Sequence, residues 1–577
     1  MSEELSNINS NSTSRRDFLK ISTSAVAAAG VAGTIGGVSS AHADDFYVDD
    51  FDASTESGSR RMDALAIRVN AAETESNFTV SLGPQLDNDD EARYKDQRYY
   101  ASYSKSLPCN SLGEVNPGEF KKLQLAMQTG AQEDFNAIVL ATDARPLTSP
   151  QAAFKYILAG RDSHATRINS AHAFRSPEIA VEMGEVYWQA VLRDVPFMDY
   201  GNRPIVQSAV NDLNSFTARP SQKPVTVGNL FRGETAGDLK GPYVSQLLLL
   251  PFSYGSVDVE QRYEVGTANV DFMLTEGNWL AVQRGRVNET ATFETQKKFI
   301  YNARSMAEYV HRDITFSAYI QAALIMMQFG QDALDSGFPY GNTIFNQQGF
   351  TTFGAPFILD LVARAGNLGL ATAWFHKWRV NRFLRPEAYA GRVHFHVTGQ
   401  ANYELHDDIL NSNVLSILFN QNGTYFCPQA FPEGSPTHPS FPAGHACYSG
   451  ACATVLKALF NEDFLFPRIM QSADGLTLND VSSQFSEGVT FGGEINKLAN
   501  NIALGRDGAG VHYRQDGIQG LYAGEQVAIA LLQQEATTVN EDFPGFSLTT
   551  FKGHKITIKK DGVFNDDNTE YNPIYLD

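Results

Sequence analysis

Four cysteines in 577 residues, Cys109, Cys427, Cys447 and Cys452, are too few and too scattered for a disulfide scaffold. A chain of 63.4 kDa buries a large core without such staples, so they read as small buried hydrophobes. A bridge involving Cys109 or Cys427 stays open outside the cytoplasm. Positive charge is also scarce: 45 Lys and Arg against 65 Asp and Glu leave -20 and a pI near 5.1. That balance argues against nucleic acid or an anionic membrane as a partner. No run of 18 uninterrupted apolar residues follows the N-terminal segment, so no membrane span is expected. Repeats of fixed period and low-complexity blocks are missing too. What remains, 43% apolar and 19% charged, is an ordinary globular composition.

Ser14-Arg15-Arg16-Asp17-Phe18-Leu19-Lys20 reads as a twin-arginine export motif. An Ala- and Gly-rich stretch, Ile21 to Val38, and the cleavage pattern Ala41-His42-Ala43 follow in the right order. Residues 1–43 are therefore expected to be a signal peptide, and the mature protein to be exported folded, to the periplasm or beyond. Residues 44–135 are polar, with acidic runs such as Asp87-Asn88-Asp89-Asp90-Glu91, and suggest an arm with little core of its own. Beyond them, 3.6-residue periodicity predicts helices over Ile179–Leu192, Lys297–Phe329, Phe357–Phe383, Ala443–Phe460 and Gly520–Gln534. Phe551–Val563 alternates as a short hairpin. The fold expected for 136–577 is mainly α, a helix-bundle core with a few short β-hairpins.

Three basic segments stand out against the acidic background. In Lys377-Trp378-Arg379-Val380-Asn381-Arg382-Phe383-Leu384-Arg385-Pro386, the i, i+4, i+8 spacing sets Lys377, Asn381 and Arg385 on one side of a helix. Pro386 ends that helix at Arg385. Taken alone, such a face is usually just solvated. Gly434-Ser435-Pro436-Thr437-His438-Pro439-Ser440-Phe441-Pro442-Ala443-Gly444-His445 delivers the chain to a helix N-terminus, where free N–H groups favour an anion. Gly444 permits close backbone approach, and His445 can act as acid or base near neutrality. The third segment runs from Gly505 to Asp516. Its glycines approach a helix expected to start near His512, Arg506 offers a planar fork for oxyanion oxygens, and Asp516 lies one turn beyond His512 as an orienting carboxylate. Any one of these histidines alone would more often be structural. Together, two arginines, a lysine, a helix N-terminus and two histidines suit a tetrahedral or trigonal-bipyramidal oxyanion.

The ordered set K-x7-R-P, P-x-G-H and G-R-x5-H-x3-D resembles the signature shared by vanadium haloperoxidases and type 2 phosphatidic acid phosphatases. The Gly237–Gln246 block, Lys377–Glu387 and Gly434–His445 resemble the bromoperoxidases of red algae and their bacterial relatives more closely. That resemblance implies two four-helix bundles and vanadate as cofactor. His512 would be the axial vanadium ligand, with Lys377, Arg385, Arg506 and the Gly444 N–H on the oxygens. His445 would handle protons and Lys377 would polarise the peroxide, so that halide is oxidised to hypohalous acid and organic acceptors are halogenated. His438 stands where bromoperoxidases carry histidine, which implies bromide and iodide rather than chloride; packing in a proline-rich loop is the plainer alternative. Asp313 is, by loose analogy, a partner for an active-site arginine. His394 and His396, alternating as on a strand, read as structural.

Departures matter as well. Family members carry serine where this chain has Ala443, which removes a hydrogen bond to vanadate. The stretch Phe338 to Gln348, where red-algal relatives hold structural calcium, has no carboxylate, which argues against calcium here. Relatives form large homo-oligomers, and the arm would suit wrapping between subunits. Two other functions fit the same residues. One is an acid phosphatase with a phosphohistidine at His512. The other is a non-catalytic exported oxyanion-binding or shell protein, a reading that Ala443 keeps open.

Overall fold

The computed structural model describes residues 56–80, 82–220 and 223–576; the twin-arginine segment lies outside them. The chain divides into two units, Met1–Val69 and Asn70–Asp577. Of the first, residues 56–69 are described and are helical. Everything below concerns the second.

Its main helices are α1 (Pro177–Val191), α2 (Ala303–Arg312), α3 (Ser317–Met327), α4 (Ala355–Phe375), α5 (Pro386–Val397), α6 (Gly444–Leu459), α7 (Phe491–Gly508) and α8 (Arg514–Ala536). Their starts follow from local chemistry. Ser176 accepts from the Ile179 N–H at the head of α1, Thr490 from Gly493 at α7, and Asn302 exchanges bonds with Ser305 at α2. Proline occupies the first turn of α1, α4 and α5, where its missing N–H costs nothing.

Helix α6 is the axis of the fold. Every residue of it except His445 is buried. Leu361 and Val362 of α4, Ile495 and Ile502 of α7, and Val527 and Leu531 of α8 surround Ala451, Val455 and Leu456 in one apolar cluster. The approach is close because small residues meet backbone: a Cβ on Gly524 would lie 2.1 Å from the Cys447 carbonyl oxygen, and one on Gly450 would lie 2.2 Å from that of Leu521. All four cysteines are free thiols, three of them buried.

Strands are short and antiparallel: β1 (Phe252–Tyr254) with β2 (Val257–Val259), β3 (Met470–Gln471) with β4 (Asn479–Asp480), and a meander of β5 (Phe546–Thr549), β6 (Lys555–Lys559) and β7 (Gly562–Asn565). The register Phe546↔Ile558↔Val563 turns Ile556 and Ile558 inward. The expected mainly α architecture with small β elements is the one observed.

Several local expectations need correction. The hairpin expected at Phe551–Val563 is the three-stranded meander. The segment Lys297–Phe329 is two helices, because Asp313 leaves α2 in an extended conformation and Phe316 takes φ 57°. The α-helix expected to reach Phe383 stops at Phe375 and widens into a π-helical turn, His376–Asn381. Lys377, Asn381 and Arg385 thus share no α-helical face: Arg385 is extended (φ −84°, ψ 155°), as Pro386 demands, and the Asn381 amide folds back on the His376 carbonyl. His394 and His396 sit on α5, not on a strand, and His394 Nε2 lies 3.2 Å from an acid, Glu276. Finally, the polar stretch before residue 136 does carry core: Tyr99, Tyr103, Leu107, Phe120, Leu123 and Met127 pack with Trp378 beneath the π-turn.

Candidate active site

Lys377, on the π-turn, is fully buried and donates to the carbonyls of Pro439 (2.8 Å) and Ser440 (2.5 Å). Arg385, 1% exposed, reaches the same loop. Its Nε donates to the His438 carbonyl (3.0 Å), one terminal nitrogen to His438 Nδ1 (3.0 Å), and the other to the Val511 carbonyl (2.7 Å) and His512 Nε2 (2.8 Å). A guanidinium can only donate, so His512 Nε2 is unprotonated and its proton sits on Nδ1. That nitrogen lies 2.7 Å from Asp516 Oδ2, which also accepts from Ser440 Oγ at 2.5 Å. Ser440, unremarked in the sequence, thus fixes the carboxylate that fixes the imidazole.

Arg506 lies in the last turn of α7, not in a flexible glycine approach, and α8 starts at Arg514 rather than at His512. Only Gly510 (φ 87°) makes the bend between them, where a side chain would also strike Gln429. Arg506 donates to the Val310 carbonyl (2.8 Å), while its Nε has no partner.

Gly444 opens α6, and Ala443 provides no side-chain cap. His445, in that first turn, points Nε2 at Asp313 Oδ1 (3.0 Å), and Tyr448 donates to the other oxygen of Asp313. Asp313 was expected to serve an arginine. Its hydrogen bonds go to His445 and Tyr448, and Arg506 acts on it only through its field.

Two further contacts were not foreseen. Trp374, one turn before Lys377, packs on the His438 ring (centroids 4.9 Å) and would lie 3.2 Å from a Cβ on Gly444. Lys105 is buried with Glu387 (2.7 Å), and Glu387 also binds the backbone and hydroxyl of Ser435. Gly434 allows this: it has φ 59°, and a Cβ there would lie 2.2 Å from the Glu387 carboxylate. This pair clamps the proline-rich loop against the end of the Arg385 segment.

Electrostatics show what the cluster lacks. Burial and the Arg385 charge push Lys377 well below its usual range, and burial lowers Arg385 to about 10. Burial, with Arg385, Lys377 and Arg506, drives His512 far down; burial, with Lys377 and Arg385, does the same to His438. Burial lifts Asp516 to about 6, against the pull of Ser440 and Lys377. Three cations thus crowd one buried region, with Asp516 behind His512 and Asp313 behind His445. A multiply charged oxyanion would bring Lys377, Arg385, His438 and His512 back toward their usual ranges, and an electrophilic metal atom fits the Nε2 lone pair of His512, which here accepts from Arg385. The donor set therefore fits vanadate.

Comparison with known proteins agrees. Residues 418–541 match the family model described as the VCPO second helical-bundle domain, and residues 5–35 match a twin-arginine signal model, that of the ubiquitinol-cytochrome C reductase Fe-S subunit. The chain is 35% identical over 548 residues to a vanadium-dependent bromoperoxidase of Ascophyllum nodosum, covering 90% of this chain and 96% of the relative. The chain belongs to the vanadium haloperoxidase family. A vanadium-dependent bromoperoxidase of Corallina officinalis is 29% identical over 87% of this chain and 98% of its own. The homohexameric structure of a second vanadate-dependent bromoperoxidase from Ascophyllum nodosum superposes with a TM-score of 0.82 at 28% identity, covering 95% and 98%. This haloperoxidase-family chain is accordingly an enzyme with vanadate as cofactor; the phosphatase and the non-catalytic shell are not favoured. It carries a twin-arginine export signal, and no described helix is long and apolar enough to cross a membrane.

Proposed function

We propose that the enzyme oxidises bromide, and iodide as well, with hydrogen peroxide, releasing hypohalous acid that halogenates organic acceptors. The observation that carries this reading is the unprotonated Nε2 of His512, which accepts from Arg385 at 2.8 Å within a buried group of cations. Lys377, Arg385, Arg506 and the Gly444 N–H would hold the vanadate oxygens, and His512 would bond the metal. Vanadate, when bound, supplies a Lewis acid that activates peroxide without changing oxidation state. Asp516 and Ser440 keep the His512 lone pair aimed inward.

His445 moves the proton. Burial lowers its pKa although Asp313 opposes the shift, so near pH 7 the ring is a neutral base. Its side chain is 24% exposed, which lets the proton leave to water. With vanadate bound, Lys377 would donate a hydrogen bond to the peroxide and so make its oxygen a better target for halide. His438, neutral and packed at a tilt against Trp374, sits against Arg385 where an incoming bromide would pass.

The bromoperoxidase names of the relatives support bromide, and the hexameric relative supports a homo-oligomer. After loss of residues 1–43, the domain from 136 onward would act in the periplasm or outside the cell. The test is a dye-bromination assay on vanadate-loaded protein with iodide, bromide and chloride in turn, beside a phosphatase assay without vanadium. We expect turnover with iodide and bromide, little with chloride, and no phosphate release. Phosphate release without halide oxidation sinks the reading.

A further inference from the structure

A pocket of about 550 Å³ opens where the start of α8 meets α1, and none of the residues assigned to vanadate lines it. Its lining combines the amides and hydroxyls of Asn169, Ser170, Thr235, Asn500, Gln515 and Gln519 with the apolar surfaces of Ile518, Leu521, Tyr522 and Phe551. Two of its buried polar side chains are only half satisfied. Glu182, 5% exposed, accepts the Gln515 N–H on Oε1 at 3.1 Å, but its Oε2 has no partner. Gln515, 4% exposed, accepts the His172 N–H on its side-chain oxygen at 2.6 Å, while its Nε2 has none. Buried polar groups left unmet are costly, so a pair of them lining one cavity marks a place for a ligand that meets both.

Charge narrows the class of ligand. Glu178 and Glu234 are balanced by Arg219 and Lys552, and Arg514 is held by both oxygens of Glu185. Burial, with Asp516 and Glu185 nearby, pushes Glu182 well above the usual carboxylate range, and burial lowers His172, so both are neutral near pH 7. The pocket therefore has no net charge with which to draw an ion. A hydroxyl both donates and accepts, so hydroxyls can meet the Glu182 carboxyl and the Gln515 amide alike. Several hydroxyls on a ring whose C–H faces are apolar match both halves of this lining. We propose that this pocket binds an uncharged carbohydrate of one or two sugar rings through Glu182 and Gln515, at a site separate from the vanadate centre. The volume lies within the usual range of small-ligand sites. The proposal does not depend on which halide the enzyme oxidises.

Saturation-transfer NMR on the vanadate-loaded full-length enzyme tests it, with four neutral disaccharides (cellobiose, maltose, lactose and sucrose) beside methyl glucoside, glucuronate and glucosamine. Glu182→Met removes one of the two unmet groups, and Ile518→Trp fills the pocket while leaving both in place. We expect transfer to at least one disaccharide, and a Kd for it at least tenfold higher in both variants. Triiodide formation by Ile518→Trp should match the wild type. Cellohexaose and maltohexaose separate two sources of the same chemistry: affinity equal to the disaccharide supports a glycan chain end, and exclusion supports a free sugar. Absence of transfer to every neutral sugar overturns the proposal, as does an unchanged Kd in both variants. Tighter binding of glucuronate or glucosamine than of methyl glucoside overturns the uncharged class. Loss of triiodide formation together with sugar binding in Ile518→Trp overturns the separateness of the site.

Discussion

Two imidazole–carboxylate pairs flank the same pocket and differ in exposure and in the nitrogen they present. His512 and Asp516 are enclosed, 2% and 0% exposed at the side chain, and meet through Nδ1 at 2.7 Å. His445 and Asp313 meet through Nε2 at 3.0 Å, and His445 is 24% exposed. A buried pair with its outer nitrogen bare can hold a metal but cannot trade protons with water. A pair at the rim can. On the proposed reading, one chemical motif would serve two tasks, distinguished by burial and tautomer.

This contrast breaks most severely if the outer pair is removed. His445→Ala is expected to lower kcat by about 10²–10⁴-fold, the usual worth of general acid–base help, with vanadate affinity much less affected. Steady-state kinetics beside ultrafiltration of bound vanadate will check it; equal losses in both quantities would merge the two roles. Asp516→Asn probes the inner pair. Loss of a ligand's orienting carboxylate costs about 10–100-fold in metal affinity, so here affinity should fall more than kcat at saturating vanadate.

Ala443→Ser sharpens the comparison at the helix that carries His445. Restoring a hydroxyl to the head of α6 adds one hydrogen bond to a charged group, worth about 1.5–3 kcal/mol, and vanadate should bind at least about tenfold tighter. Calorimetry decides this, and unchanged affinity would mean that the hydroxyl turns elsewhere.

The smallest effect at neutral pH belongs to His376, a fully buried neighbour of Lys377 whose pKa burial lowers to about 4. The unfolded chain takes up that proton near pH 6.5 and the folded chain only near 4, so folding loses stability as pH falls through that window. The loss reaches roughly 3 kcal/mol. His376→Leu should flatten the fall of Tm between pH 6.5 and 4 while leaving Tm at pH 7.5 nearly unchanged. An identical pH profile in the variant would show that His376 is already solvated.

Much of the site was readable before folding because its residues lie in short runs with their own local logic. Pro386 placed Arg385 in extended backbone, and the proline-rich approach put Gly444 at a helix start. The partners were unreadable for a physical reason. Lys105 and Glu387 are 282 residues apart, and nothing in either neighbourhood marks them as a buried pair. Asp313 looked like an arginine partner because sequence distance cannot tell which face of a broken helix its carboxylate takes. The π-turn at Lys377 was hidden too, since the same apolar periodicity suits an uninterrupted α-helix.

The sequence by itself determined the helical class, the export signal and the set of groups able to hold an oxyanion, since periodicity, composition and residue chemistry are local properties. Only the tertiary structure decided which histidine is enclosed and which meets water. That choice depends on His445 being the one residue of α6 that is not buried, and on distant segments closing over His512.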